Sequence, residues 1–295
     1  MSHSRCVKPL SRLALTLLEL VVVLGILAVL STVAVRSLEP IADQARYEMT
    51  QTVLNDVRLA TLGSGEADSC FLRDTGVLPG DVDDLSIRPA ALIAHAVQSF
   101  DSDQDAVNDV TLSSGWNGPY LQLGAGLSEV LDGWGATPNL VANSGELEIV
   151  SLGSDGDSIA PEDGYRTDVT ATIQTREYLG NITFRLFAID GLSGLRIDPS
   201  PTGTEQLGVL FYGVNAAGGT DGSIAQQMLI VPNSGTFEHR RTNTLCRAMA
   251  ARAIQWDDTD SDDIFDVGEA LIKKSYVHYP NLHPASEARV EMELR

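Results

Sequence analysis

Leu13 to Val35 reads LALTLLELVVVLGILAVLSTVAV, an apolar run broken by one charge, Glu19. In helical form, at about 1.5 Å per residue, a run of this length reaches across a hydrocarbon core of roughly 30 Å, so the pattern predicts a transmembrane helix. A carboxylate inside such a span costs on the order of a few kcal/mol unless it meets a cation, which marks Glu19 as functional. Beyond Val35 the pattern turns amphipathic. Ile41, Ala45, Met49, Val53, Val57 and Ala60 recur three or four apart, with Asp43, Gln44, Arg46, Glu48 and Gln51 between them. This predicts a helix with one face on a globular head, kinked or locally melted at Pro40 and stopped at Gly63.

Past residue 169 the period changes from helical to alternating. NITFRLFAID, GLRID, QLGVLFYGV, QQMLIVP and RVEMEL read as strands, separated by Gly- and Pro-rich turns such as DPSPTGT and NAAGGTDGS. They predict an antiparallel β-sandwich over 170–295, with a helix conceivable at CRAMAARAIQW.

The chain has 295 residues, 43% hydrophobic and only 6% aromatic, which suits one or two folded units behind the apolar segment. Its formal charge is −20, with no basic patch for nucleic acid; divalent cations are the better partners. Arg5, Lys8 and Arg12 precede the apolar run with no acid among them, which puts this end on the cytoplasmic side and the rest outside. Of the cysteines Cys6, Cys70 and Cys246, the last two either pair in an oxidising compartment or stand as separate small buried hydrophobes.

Acidic loops carry the candidate chemistry. In DTDSDDIFDVGE, Asp258, Asp260, Asp262, Asp266 and Glu269 occupy positions one, three, five, nine and twelve of an EF-hand-like calcium loop, with the Ile264 carbonyl at seven. Asp263 stands at position six, where glycine permits the sharp turn. DSDQDAVND repeats the opening with Asp101, Asp103, Asp105 and Asp109, but Leu112 replaces the closing Glu. A third loop follows the strand ELEIVSL and gathers Asp155, Glu162, Asp163 and Asp168. The five histidines form no HExxH pattern, and no nucleophile stands near one in sequence, so nothing points to an enzyme.

A basic leader, a small residue, an apolar first mature residue and a Glu five places into an apolar helix together resemble the class III signal of type IV pilins and type II secretion pseudopilins. Counting back from Glu19 places the cut between Ala14 and Leu15. GPYL at 118–121, DGWG at 132–135 and SLGSDGD at 151–157 follow the order of the major pseudopilin segments, so the resemblance covers about residues 8–169, with an enlarged stretch from Arg88 to Ser114. The resemblance implies cleavage and N-methylation by a prepilin peptidase, and assembly with other pilin-like subunits on an inner-membrane platform. It also implies calcium at Asp155, Glu162, Asp163 and the Leu152 carbonyl. The expected domains are a leader, 1–14, a helix, 15–62, a head, 63–169, and a β-rich unit, 170–295. The expected class is α+β: a long transmembrane and amphipathic helix on a small antiparallel head, then an all-β domain. The expected location is the inner membrane, single-pass with the head in the periplasm, or a periplasmic or extracellular filament. A membrane-anchored, calcium-stabilised binding module is the alternative.

Overall fold

The structure is a computed structural model that describes residues 17–64, 69–143, 146–159, 164–214, 223–232, 235–245, 249–265 and 269–295, without the side chains of 33–38, Val214 and Leu245. Helix α1, Leu17–Leu62, continues through Pro40, so the expected local melting is absent. It ends where Gly63 takes a left-handed φ of 84° and its amide donates to the Leu59 carbonyl at 2.7 Å. The buried face of α1 follows the apolar spacing only in its second half, where Val57 and Ala60 are buried and Val53 packs against them. Earlier in the stripe Ile41 and Met49 are exposed, and Thr50, Leu54 and Thr61, which it did not include, turn inward. The two threonines are admissible there because Thr50 and Thr61 donate to the carbonyls of Arg46 and Val57, at 3.0 and 2.9 Å. Thr50 Oγ1 also accepts the Gly133 amide at 3.0 Å.

This face packs on the short helix α2, Phe71–Thr75, and on a three-stranded antiparallel sheet. That sheet comprises β3, Asn139–Asn143, β4, Glu146–Ser151, and β5, Val169–Ile173, which follow the hairpin of β1, Ala96–Phe100, and β2, Val110–Ser114. Leu54, Val57, Phe71, Leu85, Leu147, Ile149 and Ile173 form the first core. The GWNGPYL segment lines it. Trp116 and Phe71 both set edges against Tyr120, whose hydroxyl donates to Asp74 Oδ2 at 3.0 Å. In the DGWG turn, Asp132 accepts the amides of Trp134 and Ala136, each at 2.9 Å, and the hydroxyl of Ser151 at 2.5 Å. Gly133 lies against α1 so closely that a Cβ there would stand 1.9 Å from the Arg46 carbonyl oxygen.

The remaining strands form two sheets. One holds β6, Leu179–Ile189, between antiparallel β10, Glu238–Leu245, and parallel β13, Glu287–Leu294, with the two-residue β7, Arg196–Ile197, at the end of β6. The other runs in the order β12, Ala270–Lys274, β11, Ala250–Asp257, β8, Glu205–Val214, and β9, Ile224–Ile230. Their facing sides share a core of Ile182, Phe184, Leu186, Leu207, Val209, Phe211, Ala251, Ala253 and Met292, with Phe184 and Phe211 meeting at 6.1 Å between ring centroids.

The outer side of the second sheet is also covered. Val110 and Leu112 of the β1–β2 hairpin pack there with Leu210, Tyr212, Ile254 and Trp256, and Phe100 meets Tyr212 at 5.1 Å. The stretch from Arg88 to Ser114, read as an enlargement of the head, therefore contributes a lid to the C-terminal unit. Burial on both sides also explains β11. Ala250 to Trp256 are buried without alternation, so the described part of CRAMAARAIQW from Ala250 on is a central strand and not a helix. Arg252, 7% exposed in that strand, reaches outward and donates to Asp109, Ser102 and Asp103 of the hairpin.

These observations correct the expected class. Thirteen strands in four sheets dominate the described residues, so the chain is mostly β and not a long helix on a small head. The transmembrane expectation falls as well. Among the described residues no helix is long and apolar enough to cross a membrane. The apolar stretch with described side chains, Leu17 to Thr32, carries Glu19 and is shorter than the roughly 20 residues a span takes. The inner-membrane single-pass placement is withdrawn with it.

Two substitutions test this packing by urea unfolding of the full chain in mild detergent. Gly133→Ala drives a methyl group into the backbone of α1 and should cost about 1–3 kcal/mol. Arg252→Leu leaves Asp103 and Asp109 without their buried cation and should cost about 3–5 kcal/mol, far more than the same change at exposed Arg240.

Candidate assembly and metal sites

Among the described residues, nothing covers α1 from Leu17 to Leu30. From Leu17 to Leu30 its leucines, valines and Ile26 are exposed on every side, Leu17 at 83% and Val29 at 63%. Ser31 and Thr32 turn their hydroxyls onto the carbonyls of Leu27, Ala28 and Val29, at 2.7, 3.0 and 2.7 Å, which removes polarity from that surface. Glu19 is an exposed acid within it. Ala14 and Leu15 lie outside the described residues.

The loop after β4 belongs structurally to α1. Gly153, at φ 67°, lets the chain double back so that the Ser154 amide donates to the Tyr165 carbonyl at 2.8 Å. Tyr165 then donates its hydroxyl to Gln44 at 2.8 Å and packs on Tyr47 and Trp134. Of the proposed ligands here, Leu152 is half-buried, Asp155 is exposed and Asp168 is half-buried; Glu162 and Asp163 lie outside the described residues. Among the described residues, Asp155 and Asp168 join no group of three metal-ligating side chains.

Two other loops do gather carboxylates. Asp101, Asp103 and Asp105 bring one oxygen each within 4.8 Å of one another, and so do Asp258, Asp260 and Asp262. The loops share a backbone pattern. Positions four and six are left-handed in both, at Gln104 and Ala106 (φ 59° and 67°) and at Ser261 and Asp263 (φ 62° for each). Asp263 thus adopts the turn for which glycine is the usual residue, and aspartate tolerates that conformation better than most. Asp101 holds its loop by accepting the amides of Asp103, Asp105 and Ala106 at 3.3, 3.2 and 2.7 Å. Asp258 accepts those of Ser261 and Asp263 at 2.8 and 3.3 Å. Glu269 closes the second loop by accepting the Thr259 amide at 3.1 Å, Ile264 is exposed with its amide on Asp262, and Asp266 lies outside the described residues. The loops touch where Gln104 Nε2 donates to the Phe265 carbonyl at 3.5 Å.

The fourth acid of the first loop, Asp109, is turned away from the triad. It accepts the Ser102 amide and hydroxyl, at 3.0 and 2.8 Å, and pairs with Arg252. Arg252 and Lys274 are site residues that the sequence reading missed, both bound to Asp103 Oδ2. Arg252 had a signal, since an arginine amid the apolar AMAARAIQW asks for a buried acid. Burial lowers the Arg252 pKa from its usual value, with the Asp105 and Asp101 carboxylates acting the other way. Tyr212, fully buried beneath the loop, has its hydroxyl pKa pushed up by burial first and by the Asp101 carboxylate.

Elsewhere the chemistry is sparse. Cys70 is a buried free thiol whose pKa is raised by desolvation, and Cys246 lies outside the described residues. A cleft of about 900 Å3 opens between the end of α1, α2 and residues 279–285, with the paired Arg58 and Glu177 on its wall. His239 turns Nδ1 to the Ile230 carbonyl at 2.8 Å, and burial lowers the His278 pKa. Among the described residues, neither joins a metal-ligating group. Comparison with known proteins gave no matching family model, no matching curated protein and no matching solved structure.

Proposed function

We propose that this chain is a pilin-like structural subunit, processed between Ala14 and Leu15 and assembled through the first half of α1 into a pseudopilus or pilus-like filament. The observation that carries this reading is the exposure of α1 from Leu17 to Leu30 around its whole circumference. An apolar surface of that extent marks an interaction site, and one that faces every direction suits several neighbours better than one groove. The occupant is the same helix of further copies. Each copy then covers the others with the surface that it must itself bury, as repeated head-to-tail contacts require.

Glu19 gives the packing its register. Burying a carboxylate between helices calls for a cation. A cut before Leu15 creates one, because the new amino group lies about one turn from Glu19 along the chain and can meet the Glu19 of a neighbour. The second half of α1 is held by Thr50, Leu54, Val57 and Thr61, so the folded unit is presented outward from the helical stack. The segments GWNGPYL and DGWG support the resemblance by serving one purpose, the attachment of α1 to its sheet.

Mass spectrometry of the mature protein from its own cells should find a chain that begins at N-methylated Leu15; an intact leader would sink the reading. Glu19→Ala should fold normally by circular dichroism yet yield few filaments by negative-stain microscopy. Replacing Leu24 and Leu27 together by Lys should leave unfolding of the head unchanged and abolish sedimentable assemblies. If both variants assembled like the parent, α1 would not be the assembly element.

A further inference from the structure

The β1–β2 loop carries more negative charge than the described ion pairs around it neutralise. Asp101, Asp103, Asp105 and Asp109 bring four carboxylates, and Arg252 and Lys274 bring two cations. The difference is the charge of one divalent ion. Two buried polar atoms independently ask for a further partner at the same place. Asp103 is 7% exposed; its Oδ2 is taken by Arg252 and Lys274, and its Oδ1 is buried with no hydrogen bond. Tyr212 is 0% exposed and rises from β8 beneath Asp101 and Ser102, and its hydroxyl, with only Ser102 beside it, makes no well-aligned hydrogen bond. Buried polar atoms without a partner are rare enough to require a reason. The Asp258 loop is different, since both oxygens of its buried acid accept backbone amides.

We propose that the β1–β2 loop binds a calcium-class divalent cation through Asp101, Asp103 Oδ1 and Asp105, and that this ion fastens the hairpin to the outer face of the C-terminal sheet. Only hard oxygen ligands converge here, and calcium accepts the irregular, partly hydrated shell that one short loop supplies, where magnesium demands near-ideal octahedral geometry. Water on the ion would give the Tyr212 hydroxyl a better-aligned partner than Ser102. The consequence is structural. Val110 and Leu112, which cover Ile254 and Trp256, are held from the loop end by a contact that the apolar surfaces alone do not make.

The test is independent of assembly and uses the full chain in mild detergent, stripped of metal by chelator. Calorimetric titration with calcium chloride should show binding, thermal unfolding should shift upward by several degrees, and hydrogen exchange at residues 96–114 should slow. Asp105→Asn retains an oxygen for the Val107 amide at an exposed position, and so preserves the fold. It should lose one site, or weaken it at least ten-fold, together with the protection of the hairpin. Asp258→Asn should leave that protection intact. The proposal is overturned if the parent neither binds calcium nor gains stability, if Asp105→Asn titrates as the parent does, or if the protection maps to 258–265 instead of 96–114.

Discussion

The constraint on which the rest of the structure depends is the burial of β11 on both of its faces. Ala250 to Trp256 are withdrawn from water without alternation, so the sheet of β12, β11, β8 and β9 must be covered twice. The first sandwich sheet supplies one cover. The other comes from far earlier in the chain, as the β1–β2 hairpin. Neither face can be left open cheaply, because each Leu, Val, Ile or Phe side chain removed from water contributes roughly 1.5–3 kcal/mol. The two halves of the sequence are therefore one folding problem, even though their patterns look separable at residue 170. Arg252 makes the join specific. Its buried guanidinium bonds Ser275 within the sheet through Nε and meets Ser102, Asp103 and Asp109 of the hairpin through Nη1, which favours one register of the hairpin on the sheet. Whether such a pair adds net stability over an apolar substitute is a separate matter; its removal from one side is what costs.

Much of this was legible in the sequence, and the misses have physical reasons. The strands β6, β8, β9 and β13 could be read because one face of each alternates or runs apolar between turn residues. The stop of α1 was legible because Gly63 alone there takes a left-handed conformation without strain. β11 was misread because burial on both faces erases the period-two signal, and alanine-rich segments favour helix when nothing else decides. The buried face of α1 was read only in part, because a count of apolar residues passes over Thr50 and Thr61; both hide their hydroxyls on the preceding turn and pack as small apolar residues. The transmembrane expectation rested on counting the apolar run as a whole, and it is not met by the described helix.

The acidic loops divide in the same way. Spacing alone identified both Asp-rich triads, because ligands two residues apart converge when the intervening residues turn left-handed, as Gln104, Ala106, Ser261 and Asp263 do. Spacing could not rank them. That depends on Arg252, Lys274 and Tyr212, which come from strands more than 100 residues away in sequence from the first loop and cannot be assigned to it without the fold. The loop that the family resemblance favoured gathers no described triad, and its clearest role is to brace α1 through Tyr165, Tyr47 and Trp134.

Charge connects the head to the exposed half of α1. A helix with apolar side chains on every side gains by association, and each copy also pays translational and rotational freedom, so only contacts repeated along the helix yield a surplus. At the same time each copy brings a formal charge of −20. Like charges at that density oppose close packing of heads and are screened only beyond about 8–10 Å at ordinary ionic strength. The two demands are met if most of the acids are kept apart from the apolar surface. Leu17 to Leu30 form the start of α1, while the acidic triads lie in other parts of the fold, on the β1–β2 loop and the loop after β11. In the assembly proposed above, helices could then approach closely while heads stay spaced, and the cation proposed for the β1–β2 loop would lower repulsion between heads without altering the helix contact.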